Sequence, residues 1–342
     1  MQKMKCIQGI RGGAIILIVL WHLNSIFPCW LPAFGDRGVE FFFLISGLLI
    51  GIKYFDSGKM DNLKCTAEYA LLKAKKLYPL YILTKLLMLV SLVQHWKEHE
   101  IGTVKLLSII GINLLYLQSW IPSEDYYWAL NSATWFLSDL LFCYLTIFAF
   151  FWLARKINAE ATVTILFILE FGWEFFVLKY LESWTAFLTY IFPLYRTLDF
   201  GIGICIGVLA RRHEKKNLDK RLLVLLATYV FIMILYNKQL TYSTYHIMEA
   251  MLVWNIVMNS GKICEYLFEN RIIVGIGNMS ETIFLTHLPV ISYMKVLCQK
   301  LIGEQYRFIE WILILVCIFI VADVVEKLRD KLRKRNDLPD SE

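Results

Sequence analysis

The chain reads as apolar runs long enough to cross a bilayer, separated by short polar bends. Eleven such runs can be marked, roughly 9–28, 37–52, 77–94, 104–120, 133–153, 160–180, 188–209, 222–236, 245–259, 273–298 and 308–326. Each predicts a helix, because inside lipid a segment must satisfy its own backbone hydrogen bonds. The run 104–120 is the weakest, being short and interrupted by Asn113 and Gln118. Demoted to a surface or re-entrant helix, it leaves about ten transmembrane helices in an all-α polytopic membrane protein.

Composition strengthens this picture. Of 342 residues, 58% are hydrophobic and only 19% charged, and the mean hydropathy is +0.55, too apolar for a soluble domain of this size. The first run follows Lys3 and Lys5, yet it contains an Arg and a His and lacks a small-x-small cleavage site, so it is expected to be a retained helix. Basic residues also crowd the far end, from Lys327 to Arg335, and the positive-inside rule therefore puts both termini in the cytoplasm and makes the number of spans even. With ten spans, the loops holding Lys53 to Lys76, Arg155 with Lys156, Arg211 to Arg221 and Lys262 with Arg271 all fall inside. The longest outer loop, 95–132, holds Glu98, Glu100, Glu124 and Asp125. The net charge of +6 thus reports topology, and nucleic-acid binding is not indicated. One transmembrane domain is expected over 1–330, with a mobile tail over 331–342. The eight cysteines form no Cys-x-x-Cys pair and are expected to be free packing residues.

Ionisable groups inside apolar spans are costly, and each is a candidate for function. Arg11 and His22 are eleven residues apart, three helical turns plus about 20°, so they share one face about 16 Å apart. With the expected topology, His22, Glu40, Asp139 and His287 all reach similar heights in the outer half of the bilayer, and Ser46 lies lower. His22 is the best general-base candidate, since a neutral imidazole takes a proton near neutral pH. Glu40 is expected to orient it, or else to be an acid at the helix end. Ser46 is either a nucleophile or oxyanion donor, or a small contact that lets helices approach. Arg196 and Asp199, three apart, can pair with each other. Ser280 and His287, seven apart, face one way while Glu281 points elsewhere. His95 and His99 lie in an exposed loop without an HExxH pattern, and no metal is expected.

Several of these residues stand in longer motifs. Arg11 to His22 opens the chain, and Phe42-Phe43-Leu44-Ile45-Ser46-Gly47 follows it. Further on come Lys73-Ala-Lys-Lys-Leu-Tyr-Pro-Leu-Tyr81, Trp135-Phe-Leu-Ser138, Tyr195-Arg196-Thr-Leu-Asp199-Phe-Gly-Ile-Gly203 and Asn278 to Pro289. Together they resemble the acyltransferase 3 integral-membrane proteins, which O-acylate carbohydrates and other cell-envelope molecules. The chain departs from the family in reading Asp139-Leu140-Leu141 where many members carry two consecutive acids.

The resemblance implies a bacterial-type inner-membrane O-acyltransferase. It would move an acetyl or similar short acyl group from cytoplasmic acyl-coenzyme A to a hydroxyl of an envelope polysaccharide or lipid-linked saccharide. His22 is then the catalytic base, with Glu40, Ser46 and His287 as further catalytic candidates. Arg11, Lys75, Lys76 and Arg196 are the candidates for holding the donor. Membrane lipids surround the chain, and a homo-oligomer is left open. The rival from another class is a ten-helix transporter or flippase with His22, Glu40 and Asp139 as a proton relay, which gives no reason for the Arg-to-His spacing.

Overall fold

The computed structural model describes residues 5–24, 34–98, 102–236, 241–303 and 306–335. They form helices α1 (Lys5–Leu23), α2 (Gly35–Tyr54), α3 (Leu63–Leu87), α4 (Leu89–Glu98), α5 (Thr103–Leu114), α6 (Glu124–Tyr127), α7 (Trp135–Lys156) and α8 (Ala159–Tyr180). The second half adds α9 (Pro193–Arg212), α10 (Asp219–Tyr236), α11 (Tyr242–Met258), α12 (Lys262–Phe268), α13 (Arg271–Asn278), α14 (Ser280–Ile302) and α15 (Arg307–Arg335). Among the described residues there is no strand. Local chemistry sets several starts: Asn62, Asn158 and Asn270 cap α3, α8 and α13 through their side-chain oxygens, and Pro193 opens α9 where no backbone donor is needed.

Among the described residues, five helical segments are long and apolar enough to cross a membrane: Lys5–Leu23, Ser132–Lys156, Ala159–Tyr180, Phe187–Arg212 and Arg307–Leu332. Segments α8 and α15 display Ile168, Phe175, Ile320 and Val324 outward, as lipid-facing helices do. The stretch 104–120 yields only the twelve-residue α5 and a 3₁₀ turn at Gln118–Trp120. Its Asn113 accepts a hydrogen bond from Lys85 at 2.6 Å. The expected run 77–94 is instead a helix that starts at Leu63 and gives way to α4 after Met88. The run 273–298 is broken at Met279 into α13 and α14. Helix α15 continues through Arg335, so the first five residues of the expected tail are helical, and 336–342 lie outside the described residues.

At the centre α2 and α9 run parallel in close contact. A Cβ at Gly47 would stand 2.0 Å from the Phe200 carbonyl oxygen, and one at Gly203 would stand 2.1 Å from that of Leu44, so only glycine admits this approach. Gly47 therefore builds a helix crossing. Helix α1 is wedged between α2 and the α12–α14 segment. Its Gln8 carbonyl lies against Gly277, and α14 then rises parallel to it. The start of α1, the ends of α2 and α9, the start of α14 and the end of α15 share one face of the bundle. Ion pairs Arg211–Asp56 (2.7 Å) and Arg329–Glu281 (3.5 Å) tie them there.

Candidate active site

His22 and His287 meet. The Nε2 of His287 lies 3.3 Å from Nδ1 of His22, with the rings edge to face at 4.8 Å between centroids. His22 Nδ1 also lies 2.9 Å from the Ile18 carbonyl oxygen, and His287 Nδ1 lies 3.1 and 2.8 Å from those of Ile283 and Phe284. A carbonyl only accepts, so both Nδ1 atoms carry the proton. His287 Nε2 is then an acceptor for His22 Nδ1–H, and the lone pair of His22 falls on its Nε2. His287 is fully buried, whereas His22 is partly exposed beside Trp21.

Phenylalanines wall this pair. Phe284 stands 6.0 Å from the His287 ring and 5.2 Å from Phe136, and Phe136 stands 4.6 Å from Phe43 and 6.1 Å from Phe42. Adjacent to Phe136, Leu137 lines a narrow crevice between α3 and α7. Its other lining residues include Leu140, Tyr144, Leu77 and Ala74, and Lys73 stands at its lower end.

The lower end is basic. Arg11 is partly exposed, and within electrostatic range of it lie Glu281 and Tyr144. Lys73, Lys76 and Arg329 join the same group around Glu281. Lys76 is half-buried among them, whereas Lys75 is exposed on α3. Between Arg11 and His22 the α1 face is packed, Ile15 and Ile18 being 0% and 1% exposed.

Glu40 and Arg196 stand away from the His22–His287 pair: Glu40 is turned to Arg37 and not to His22, and Arg196 forms the ion pair with Asp199 that its spacing suggested. Glu40 accepts a hydrogen bond from Arg37 Nη1 at 2.7 Å and lies 3.7 Å from Arg196. Beside His22 the structure puts His287. Arg196 is 1% exposed, with Nη1 2.5 Å from Asp199 and Nε donating to the Tyr190 carbonyl at 2.7 Å. Its guanidinium is engaged inside the protein, and no donor contact is assigned to it. Asp139 is buried on the side of Arg196 and Asp199. Ser46 is partly exposed, next to the α2–α9 crossing.

These residues form a second buried cluster that sequence reasoning missed. His246 Nδ1 lies 3.0 Å from both Glu170 oxygens and 3.7 Å from Asp199, Tyr229 donates to Glu249 at 2.6 Å, and Arg37 stacks on Tyr242 and Tyr245. Donor atoms of Glu170, Asp199 and His246 lie within 4.8 Å of one another, the spacing of a cation site. Arg196 and His246 already face these carboxylates, so ion pairing accounts for the group. The signal was present in the sequence as Glu170, His246 and Glu249 inside the apolar runs 160–180 and 245–259. His95 and His99 fall outside the residues whose side chains are described. The seven described cysteines are free.

A family model described as an acyltransferase domain, that of the acyltransferase 3 family, matches residues 4–327. No curated protein and no solved structure matches the chain.

Proposed function

Because this chain belongs to the acyltransferase 3 family and is a membrane acyltransferase, we propose that it moves a short acyl group, acetyl being the first candidate, from acyl-coenzyme A to a hydroxyl of an envelope saccharide. The face of the bundle that holds Arg11 and the helix ends faces the cytoplasm, both termini lie there, and ten helices cross a bacterial-type inner membrane. The observation that carries this reading is the arrangement along α1: cations around Arg11 at one end and the His22–His287 pair three turns above.

In this mechanism Arg11, Lys73 and Lys76 hold the donor's phosphates by charge-assisted hydrogen bonds. The pantetheine arm runs upward, with the apolar crevice between α3 and α7 as its wall, and reaches His22 once Ile15 and Ile18 give way. His22 Nε2 takes the proton of the acceptor hydroxyl as its oxygen attacks the thioester carbonyl. The imidazolium so formed keeps Nδ1–H between the Ile18 carbonyl and His287 Nε2, two acceptors that stabilise its charge. Collapse of the tetrahedral intermediate breaks the carbon–sulfur bond, and His22 returns the proton to the thiolate. No net proton is gained or lost.

A transporter using His22, Glu40 and Asp139 as a relay is disfavoured, because Glu40 is ion-paired with Arg37 and faces Arg196. Thiol release from acetyl-coenzyme A by purified protein with envelope glycan tests the proposal. His22→Ala should lose turnover by about 10²–10⁴-fold with coenzyme A binding kept, and Arg11→Ala should weaken donor affinity more than turnover. Equal thiol release by wild type and His22→Ala would sink it.

A further inference from the structure

Where α1, α3, α14 and α15 meet, one carboxylate stands among four cations. Glu281, in the first turn of α14, lies within electrostatic range of Lys76 and Lys73 on α3, Arg329 on α15 and Arg11 on α1. Arg329 Nη2 is 3.5 Å from Glu281 Oε2, and Nη1 is held by Thr282 at 2.8 Å and Glu326 at 3.0 Å. The Glu281 side chain is 35% exposed against 14% for Arg329, so the carboxylate is the more open of the two. Among the groups named here, four cations face two carboxylates, Glu281 and Glu326, and Lys53 adds to the field at Lys73. The N-terminal dipole of α14 favours a further negative charge at the same place.

We propose that Glu281 is a resident counter-ion of the donor site, standing where a phosphate of acyl-coenzyme A binds and displaced by it. This rests on the donor assignment made above and adds the residue that sets how tightly donor and product are held. Carboxylate and phosphate compete for the same guanidinium and ammonium groups. Without Glu281 the ligand has one competitor fewer for these cations, with Glu326 still on Arg329. Released coenzyme A carries the same phosphates as the donor, so the returning carboxylate also speeds product departure. Glu281 is thus a positioning residue that acts through Arg11, Lys73, Lys76 and Arg329, and it touches no reacting atom.

The test uses the full chain in nanodiscs of neutral lipid, with binding of coenzyme A and of inorganic pyrophosphate measured by calorimetry and turnover by thiol release. Glu281→Gln and Glu281→Ser should bind both ligands about tenfold tighter than wild type, as expected for removing one charge at this range. Both should show a lower donor KM together with a lower kcat, because product leaves more slowly. Glu281→Asp, which keeps the charge, should stay near wild type. Binding by folded Glu281→Gln or Glu281→Ser that is equal to or weaker than wild type overturns the inference. If coenzyme A fails to bind any form while pyrophosphate still binds the uncharged variants more tightly, the donor assignment fails and the counter-ion stands. Loss of coenzyme A binding when anionic lipid is added would assign the cations to lipid headgroups and overturn the proposal.

Discussion

His22 and His287 have different local tasks although both sit deep in the bundle. The first has its lone pair on Nε2, and the second uses both nitrogens inside the protein, Nδ1 toward α14 carbonyls and Nε2 toward His22. His287→Leu should therefore cut turnover about 10–10²-fold by removing the imidazolium's acceptor, while coenzyme A affinity is unchanged. Single-turnover thiol release beside calorimetry checks this, and a variant that loses affinity as much as turnover would show a merely structural role. At this scale motif spacing and helix rise give the relative heights of Arg11 and His22 on α1 without knowledge of neighbours, while the meeting of His22 with His287 is a matter of packing. Glu40 was not placed correctly, since height in the bilayer says nothing about which side of a helix a carboxylate faces. Arg37, three residues earlier, was the local clue. Glu281 was set aside for pointing away from Ser280, the direction in which α1, α3 and α15 bring their cations.

Helix α2 meets α9 with two glycines from each, and this contact sets where every α2 side chain stands. Gly203→Leu would drive its side chain into the Leu44 carbonyl, 2.1 Å from the first added carbon. It should cost about 3 kcal/mol or more and lower the melting temperature in detergent. Ser46→Ala on the same segment adds no bulk. If Ser46 is a spacer, as its neighbour suggests, turnover should change less than about threefold, whereas loss of a nucleophile would cost orders of magnitude. The close approach at Gly47 was readable from residue size, and the shortness of the helix within 104–120 from Asn113 and Gln118. The break at Met279 was not. An apolar run of 26 positions looks continuous, and the close fit of Gly277 against the α1 backbone, two residues before the break, emerges only from packing.

Across the described part of the molecule, two sets of ionisable residues stand out, one on either side of α2. One lines α1 and α14. The other joins Arg37 and Glu40 of α2, Glu170 of α8, Arg196 and Asp199 of α9, Tyr229 of α10 and His246 with Glu249 of α11. The second set ties five helices together, and its members compensate one another, so removing one exposes the rest. Asp199→Asn would leave Arg196 buried without its 2.5 Å partner, which should cost about 3–5 kcal/mol in thermal unfolding. Coenzyme A affinity of the surviving folded fraction should be unchanged. The all-α membrane class was clear from composition and run length. The second set was hidden, because its members come from distant parts of the chain and only packing brings them together.

Helices α1 and α14 ascend side by side, each bearing one charged group near its base and one imidazole higher up. The pair therefore acts as a ruler, with graduations set by helix rise and not by any flexible loop. Inserting a single alanine between Arg11 and His22 would turn the upper imidazole by about 100° and lift it about 1.5 Å. The enzyme would keep its composition and lose its measure, and donors with a shortened arm should fail on the intact ruler for the same reason.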